Sequence, residues 1–91
     1  MRKIEQDMVC AFNSNRNWKK DNTEVRVEGG ETTVYLHGNR IAYKNRHGIH
    51  LDEKVCSMWT TVTTRSRLVA LGFNARIRQG ILYVDERAII G

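Results

Sequence analysis

Thr33-Val34-Tyr35-Leu36-His37-Gly38-Asn39-Arg40-Ile41-Ala42-Tyr43 alternates apolar and polar side chains on both sides of Gly38-Asn39. That pair suits a two-residue hairpin turn with positive φ. A turn there sets Leu36 opposite Ile41 and Val34 opposite Tyr43, all on one face. The pattern therefore predicts a half-buried antiparallel sheet.

The neighbouring segments extend it. Thr23 to Glu28 alternates with Val25 and Val27 on the same side, and Gly29-Gly30 supplies a second two-residue turn. Pairing across it sets Val25 opposite Val34 and Val27 opposite Thr32. A three-residue loop, Asn45-Arg46-His47, then sets Ile49 opposite Tyr43 and Leu51 opposite Ile41, with Gly48 able to carry a bulge. Separate turns choose one buried side, and a register slip would expose that whole set. The expected core face is Val25, Val27, Val34, Leu36, Ile41, Ile49 and Leu51. The other face interleaves Glu24, Arg26, Thr33, Tyr35, His37, Arg40, Ala42, Lys44, His50 and Asp52, the pattern of a solvated surface.

Helical periodicity flanks this meander. Ile4, Met8, Ala11 and Phe12 share one arc and predict a helix over residues 3–13, ended by Asn13-Ser14-Asn15. Arg16 to Asn22 is a polar connection holding one large aromatic, Trp18. A second helix is expected over residues 63–71, capped by Thr63 or Thr64 and stopped by Gly72, with Leu68 and Leu71 toward the sheet. Gln79-Gly80 turns a last hairpin that sets Ile77 opposite Leu82 and Ala75 opposite Val84. Ala88-Ile89-Ile90-Gly91 is an apolar tail that must dock on the body. The expected fold is α+β: an N-terminal helix, a four-stranded antiparallel meander, a second helix and a C-terminal β-hairpin, in one domain over residues 1–91.

Composition narrows the function classes. The chain has 91 residues, 41% hydrophobic and 27% charged, which suits one modest core rather than a core with a deep enzyme cleft. No apolar run approaches the roughly 18 residues that span a bilayer, so no membrane partner is expected. Glu5 and Asp7 interrupt any signal-peptide core. Two cysteines, Cys10 and Cys56, make no disulfide framework and are expected as free thiols of an intracellular protein. The net charge of +5 favours polyanions without identifying one.

Catalytic and metal motifs are absent by spacing. His47, His50 and Cys56 lie on a loop, a strand and a connection without a fourth ligand, so no metal or other cofactor is expected. Asp52-Glu53 and Asp85-Glu86 are sequence neighbours, which point to opposite faces of a strand and make no acid/base dyad. Neither cysteine nor Ser57 or Ser66 sits in a nucleophile signature. The chain is read as a non-enzyme.

The strongest binding candidate is the start of the second helix. Thr60-Thr61-Val62-Thr63-Thr64-Arg65-Ser66-Arg67 gathers hydroxyls and two guanidinium groups where free backbone N–H groups attract anions. Arginine there opposes the helix dipole, which hints at an external anion. The candidate nucleic-acid contacts are Thr64, Arg65 and Arg67, with the basic–aromatic run Trp18-Lys19-Lys20 and the strand pair Arg76 and Arg78. Caps with arginines lying over the core are the competing structural reading, and Trp59 is expected in the core.

The strand pair Thr33 to Ala42, together with Trp59-Thr60-Thr61-Val62-Thr63-Thr64-Arg65-Ser66-Arg67-Leu68-Val69-Ala70-Leu71, resembles a family of small tailed-bacteriophage proteins. The N-terminal helix followed by Asn17-Trp18 and Asn22-Thr23 is similar too. The likeness runs to about Leu71. Family members often have Lys-Ser-Arg-Leu-Asn-Ala-Leu in the second helix, where this chain places Arg65 and Val69. The family carries no established activity or catalytic residues. The resemblance implies a phage origin and the cytoplasm of an infected bacterial cell. The expected function is that of a non-enzymatic phage accessory protein binding nucleic acid through a basic surface; the alternative is a protein-binding inhibitor of a host factor or a small structural or oligomeric subunit.

Overall fold

The computed structural model describes residues 2–90. Helix α1 spans Lys3–Asn13 and buries Met8, Ala11 and Phe12 of the predicted arc, while Ile4 is half-buried and Glu5 is buried in its place. Asn15 ends it in the left-handed region at φ 51°. The Asn15 N–H donates to the Phe12 carbonyl and the Arg16 N–H to the Ala11 carbonyl, at 3.4 and 2.9 Å. These two bonds make the Schellman closure that satisfies terminal carbonyls.

The central sheet has five antiparallel strands in sequence order: β1 Trp18–Lys20, β2 Thr23–Glu28, β3 Glu31–Leu36, β4 Asn39–Asn45 and β5 Gly48–Leu51. The four-stranded expectation is corrected by β1, which lies in the segment expected as a polar connection. Asp21 at φ 52° turns the chain so that Lys20 meets Thr23 and Trp18 meets Val25. The Gly29-Gly30 hairpin has the expected register, with Val25 opposite Val34 and Val27 opposite Thr32.

The next hairpin differs. Its turn is His37-Gly38, at φ 53° and 79°, rather than Gly38-Asn39. Leu36 therefore meets Asn39, and Val34 meets Ala42 with a bulge between. The cause is tertiary. The His37 N–H donates to the Asn22 carbonyl at 2.7 Å, which draws His37 into the turn; histidine is among the residues that tolerate positive φ. The bulge leaves Ile41 and Ala42 both buried. The Ile41 carbonyl is satisfied from outside the ladder, by the Asp52 N–H at 2.9 Å and the Cys56 thiol at 3.4 Å. Tyr43 moves to the other face, where the Arg40 guanidinium lies 4.4 Å from its ring centre.

This shift carries into β5, where a two-residue Arg46-His47 turn replaces the expected three-residue loop. Lys44 pairs with Ile49, Tyr43 with His50 and Ala42 with Leu51. Ile49 keeps the core-side parity but sits at an open corner and is exposed. Val27 and Leu51 are half-buried, while Val25, Val34, Leu36 and Ile41 are buried as expected. On the opposite face, Arg26 bonds Glu24 and lies 4.6 Å from the Tyr35 ring centre. Tyr35 is thus already covered by a cation. Ala42 belongs to the core face instead, and Thr33 is buried beneath its long neighbours.

A short helix, α2 (Glu53–Met58), follows β5, where a plain connection was expected. Asp52 caps it by accepting from the Val55 N–H, and its other oxygen accepts from Arg40 Nε at 2.9 Å. Helix α3 spans Val62–Ala70 and buries Leu68 and Leu71 as expected. Its end is a second Schellman closure, with Gly72 at φ 106°. Gly72→Ala is expected to cost about 1–2 kcal/mol, because a Cβ is disfavoured at positive φ. Urea unfolding of the variant measures this.

The chain closes with a second sheet of β6 Ala75–Arg78, β7 Ile81–Val84 and β8 Arg87–Ala88. The Gln79-Gly80 turn gives the expected Ile77–Leu82 and Ala75–Val84 pairs. The added third strand turns at Asp85-Glu86, both at positive φ. Arg87 then grips Glu53 of α2 through two bonds of 2.6 and 2.9 Å. Ile89 docks in the core and its N–H donates to the Leu82 carbonyl, whereas Ile90 is exposed; Gly91, the end of the tail, lies outside the described residues. One apolar cluster joins α1, the inner face of the five-stranded sheet, α2, α3 and the second sheet.

Candidate binding surface at the α2–α3 elbow

Helix α3 holds three of the sequence candidates and divides them. Its inward arc is Thr64, Arg67, Leu68 and Leu71, all buried. Thr64 is 1% exposed, with its Oγ1 3.1 Å from Thr61 Oγ1, and it does not cap the helix. The cap is Thr61, whose Oγ1 accepts from the Thr64 N–H at 3.1 Å. Thr61→Ala is expected to cost about 1 kcal/mol, and Thr63→Ala less than about 0.5 kcal/mol. Thermal unfolding of the pair distinguishes the two threonines.

Arg67 is 3% exposed and holds the inside of the molecule together. Its Nη1 donates to Glu5 Oε2 at 2.9 Å and its Nε to Thr23 Oγ1 at 3.1 Å. Asn22 Oδ1 receives Nη2 at 3.4 Å, and Ser66 Oγ also donates to Glu5. Burial alone would raise the Glu5 carboxyl, but the bonds from Ser66 and Arg67 outweigh it and hold it below its ordinary value. Arg67 lies not at the start of α3 but in its last turn, where the helix dipole favours a cation, and a carboxylate of α1 answers it. The dipole argument for an external anion does not apply to it.

The other candidates lie apart. Trp18 is half-buried against the core, with Lys19 and Lys20 exposed beside it on β1. A cleft of about 440 Å³ at this edge also contains Glu24 and Glu28, so its charge is mixed. Asn17 blocks the open edge of β2 by accepting the Val27 N–H at 2.7 Å. Arg76 and Arg78 are exposed on β6, in the other sheet, and Arg76 is paired with Glu86 at 2.8 Å. Arg65 is half-buried on the outer side of α3, with no ion pair among the described residues.

The elbow between α2 and α3 brings different residues forward. Trp59 is 46% exposed rather than in the core, beside Met58 at 66% and Val62 at 67%. Val69 lies one heptad after Val62, on the same outward side of α3, and is also exposed. Four of the seven exposed large apolar side chains among the described residues thus fall within residues 58–69. Trp59 also walls a cleft of about 220 Å³ floored by Leu36 and Ile41 and edged by His37, Asn39 and three threonines. The floor is a product of the bulged hairpin, which aims Ile41 at α3.

One long stretch of the sequence carries charge of a single sign. Residues 54–84 contain Lys54, Arg65, Arg67, Arg76 and Arg78 and no Asp or Glu, so this stretch carries a charge equal to the whole net +5. Only Lys54 and Arg65 of that stretch belong to α2 and α3 without an ion pair among the described residues; Arg67 is buried on Glu5, and Arg76 and Arg78 lie in the other sheet.

Groups with catalytic or metal-binding chemistry are dispersed or engaged. Among the described residues, no three His, Cys, Asp or Glu side chains come together. Burial pushes the Cys56 thiol up to about 12, far from the reactive thiolate. Glu53, Asp52 and Glu86 are each bonded to an arginine. No helix among the described residues is long and apolar enough to cross a membrane.

No curated protein and no solved structure matches the chain. The family model described as Kyanoviridae Gp96 protein matches residues 1–90, which agrees with the phage likeness carried by the β3–β4 hairpin and α3. Spanning nearly every residue from α1 to the docked tail, this match makes the chain a member of the Kyanoviridae Gp96 family of tailed-phage proteins.

Proposed function

We propose that the protein is a non-enzymatic phage accessory factor that docks a host protein on the α2–α3 elbow in the cytoplasm of the infected cell. The exposed apolar strip Met58, Trp59, Val62 and Val69 carries this reading. Contiguous exposed apolar groups mark interaction surfaces, and an aromatic beside a pocket is the usual anchor of one. Nucleic acid is the competing partner. It is supported less well, because Arg67 is buried, Arg26, Arg40, Arg76 and Arg87 each bond a carboxylate, and the remaining basic candidates sit on β1, α3 and β6.

Photo-crosslinking in infected cells tests the reading. A benzophenone amino acid replaces Val62 in one protein and Glu28, on the far edge, in a control. The expected result is a protein adduct from position 62 that survives nuclease and is missing from position 28. An adduct only to nucleic acid, equal adducts from both positions, or none from position 62 overturns docking at the elbow.

A further inference from the structure

We infer that two copies of the chain join edge to edge through β5, antiparallel, about a two-fold axis at His50, and so continue the central sheet across both molecules. This contact is independent of docking at the elbow. Backbone chemistry is the first argument. The Asp52 N–H donates to the Ile41 carbonyl at 2.9 Å, and β5 pairs with β4 in unbroken register, His50 opposite Tyr43. In an antiparallel ladder successive residues point their backbone groups alternately toward and away from the neighbouring strand. His50 therefore turns its N–H and C=O to β4, while Ile49 and Leu51 turn theirs outward. Among the described residues nothing bonds those outward groups. Such a row is a template for another strand. The opposite end of the sheet is closed to one. There β1 is three residues long and carries Lys19 and Lys20, and Asn17 accepts the Val27 N–H. Strand β5, Gly48-Ile49-His50-Leu51, has no lysine, proline or bulge.

Self-complementarity names the occupant. With the axis at His50, Ile49 of one copy lies opposite Leu51 of the other, and each outward N–H meets an outward carbonyl. Both side chains are on the core face. Ile49 is 46% exposed there. Leu51 of the second copy covers it, beside Phe73 and Val84, which line the cleft of about 330 Å³ along this edge. Charge agrees with the antiparallel sense. Arg46, in the turn before Gly48, is exposed and has no ion pair among the described residues. At the other end of β5 the cleft holds Glu53 and Asp85 against Arg87, which leaves one carboxylate in excess. The two-fold axis sets the cationic end of each strand toward the acidic end of the other. A foreign strand needs the same apolar pair and the same reversed charge to fit as well. The net +5 of each copy acts at longer range and is screened beyond about 8 Å at physiological salt.

Sedimentation velocity of the whole chain at physiological salt, from about 10 µM to about 1 mM protein, tests this, with hydrogen exchange read at single amides. The expected result is a mass that rises toward that of two chains. The Ile49 and Leu51 amides should exchange more slowly as it rises, while the His50 amide, bonded to β4, is protected throughout. Ile49→Pro deletes an outward donor that the fold does not use, and Ile49→Lys sets a charge on the apolar pair. Each should weaken association at least about tenfold. Val69→Lys, at an exposed apolar position of the elbow, should leave it unchanged. Far-UV circular dichroism verifies that the variants are folded; should Ile49→Pro unfold, Ile49→Lys decides. A monomer at about 1 mM, an association unmoved by Ile49→Lys, one lost with Val69→Lys, or Ile49 and Leu51 amides that exchange equally fast at both ends of the concentration range overturns pairing through β5.

Discussion

Arg67→Ala is expected to destabilise the protein by about 3–5 kcal/mol, far more than loss of a surface charge. Removing the guanidinium leaves the Glu5 carboxylate 4% exposed without its cation, and leaves Thr23 Oγ1 and Asn22 Oδ1 without a donor they now receive. Ser66 and the Arg2 backbone still bond the carboxylate but bring it no counter-charge. Glu5→Leu with Arg67→Met should recover most of the loss, since a buried pair replaced by apolar groups of similar volume is often neutral. The pair also has a pH signature. The folded Glu5 carboxyl lies below its ordinary 4.5, so its contribution is complete above that value and fades as pH falls through the folded value. In Arg67→Ala the carboxyl loses its largest counter-charge, so acid should stabilise this variant relative to neutral pH. Urea midpoints of the three proteins from neutral pH downward check this. A loss below about 1 kcal/mol in Arg67→Ala would place the arginine in water and revive the anion reading.

Why the sequence misplaced Arg67 is instructive. Thr64, Arg67, Leu68 and Leu71 follow the i, i+3, i+4, i+7 spacing of one helix face, so the pattern already set Arg67 inward. Charge argued outward, and the carboxylate that reverses that argument is 62 residues away in α1. The same division runs through the fold. Helices α1 and α3 and the Gly29-Gly30 and Gln79-Gly80 turns were legible because periodicity and turn chemistry are local. His37-Gly38 and Gly38-Asn39 are competing two-residue turns, and the choice between them depends on Asn22 and on donors to the Ile41 carbonyl. Strand β1 is too short to alternate, and α2, at six residues, is too short for a period; only the Asp52 cap marked it. Trp59 was assigned to the core by residue type, although the turn between two helices leaves it half outside. The phage family was legible from the hairpin and α3 together, while the exposed apolar side chains of the elbow depend on which side of α3 faces water.

Phe12→Ala is the second large effect, about 3–5 kcal/mol. The ring is 1% exposed and joins α1 to the inner face of the sheet, in a packed site with no slack to close over a cavity. It also underlies a polar contact. The Lys44 ammonium lies 4.7 Å from the ring centre and donates to the Phe12 carbonyl at 2.6 Å. That carbonyl is among the last of α1, where the helix dipole favours a cation. Lys44→Met should therefore cost about 1–2 kcal/mol even though its stem remains apolar. The two losses should not add. With the ring gone, the ammonium keeps its carbonyl but loses the aromatic face, so the double variant should show a coupling of about 0.5–1 kcal/mol. Chemical unfolding of the four proteins of this cycle measures it. Strict additivity would mean that Lys44 acts on the helix end alone, and a Phe12→Ala cost below about 2 kcal/mol would mean that α1 can settle onto the sheet without its ring.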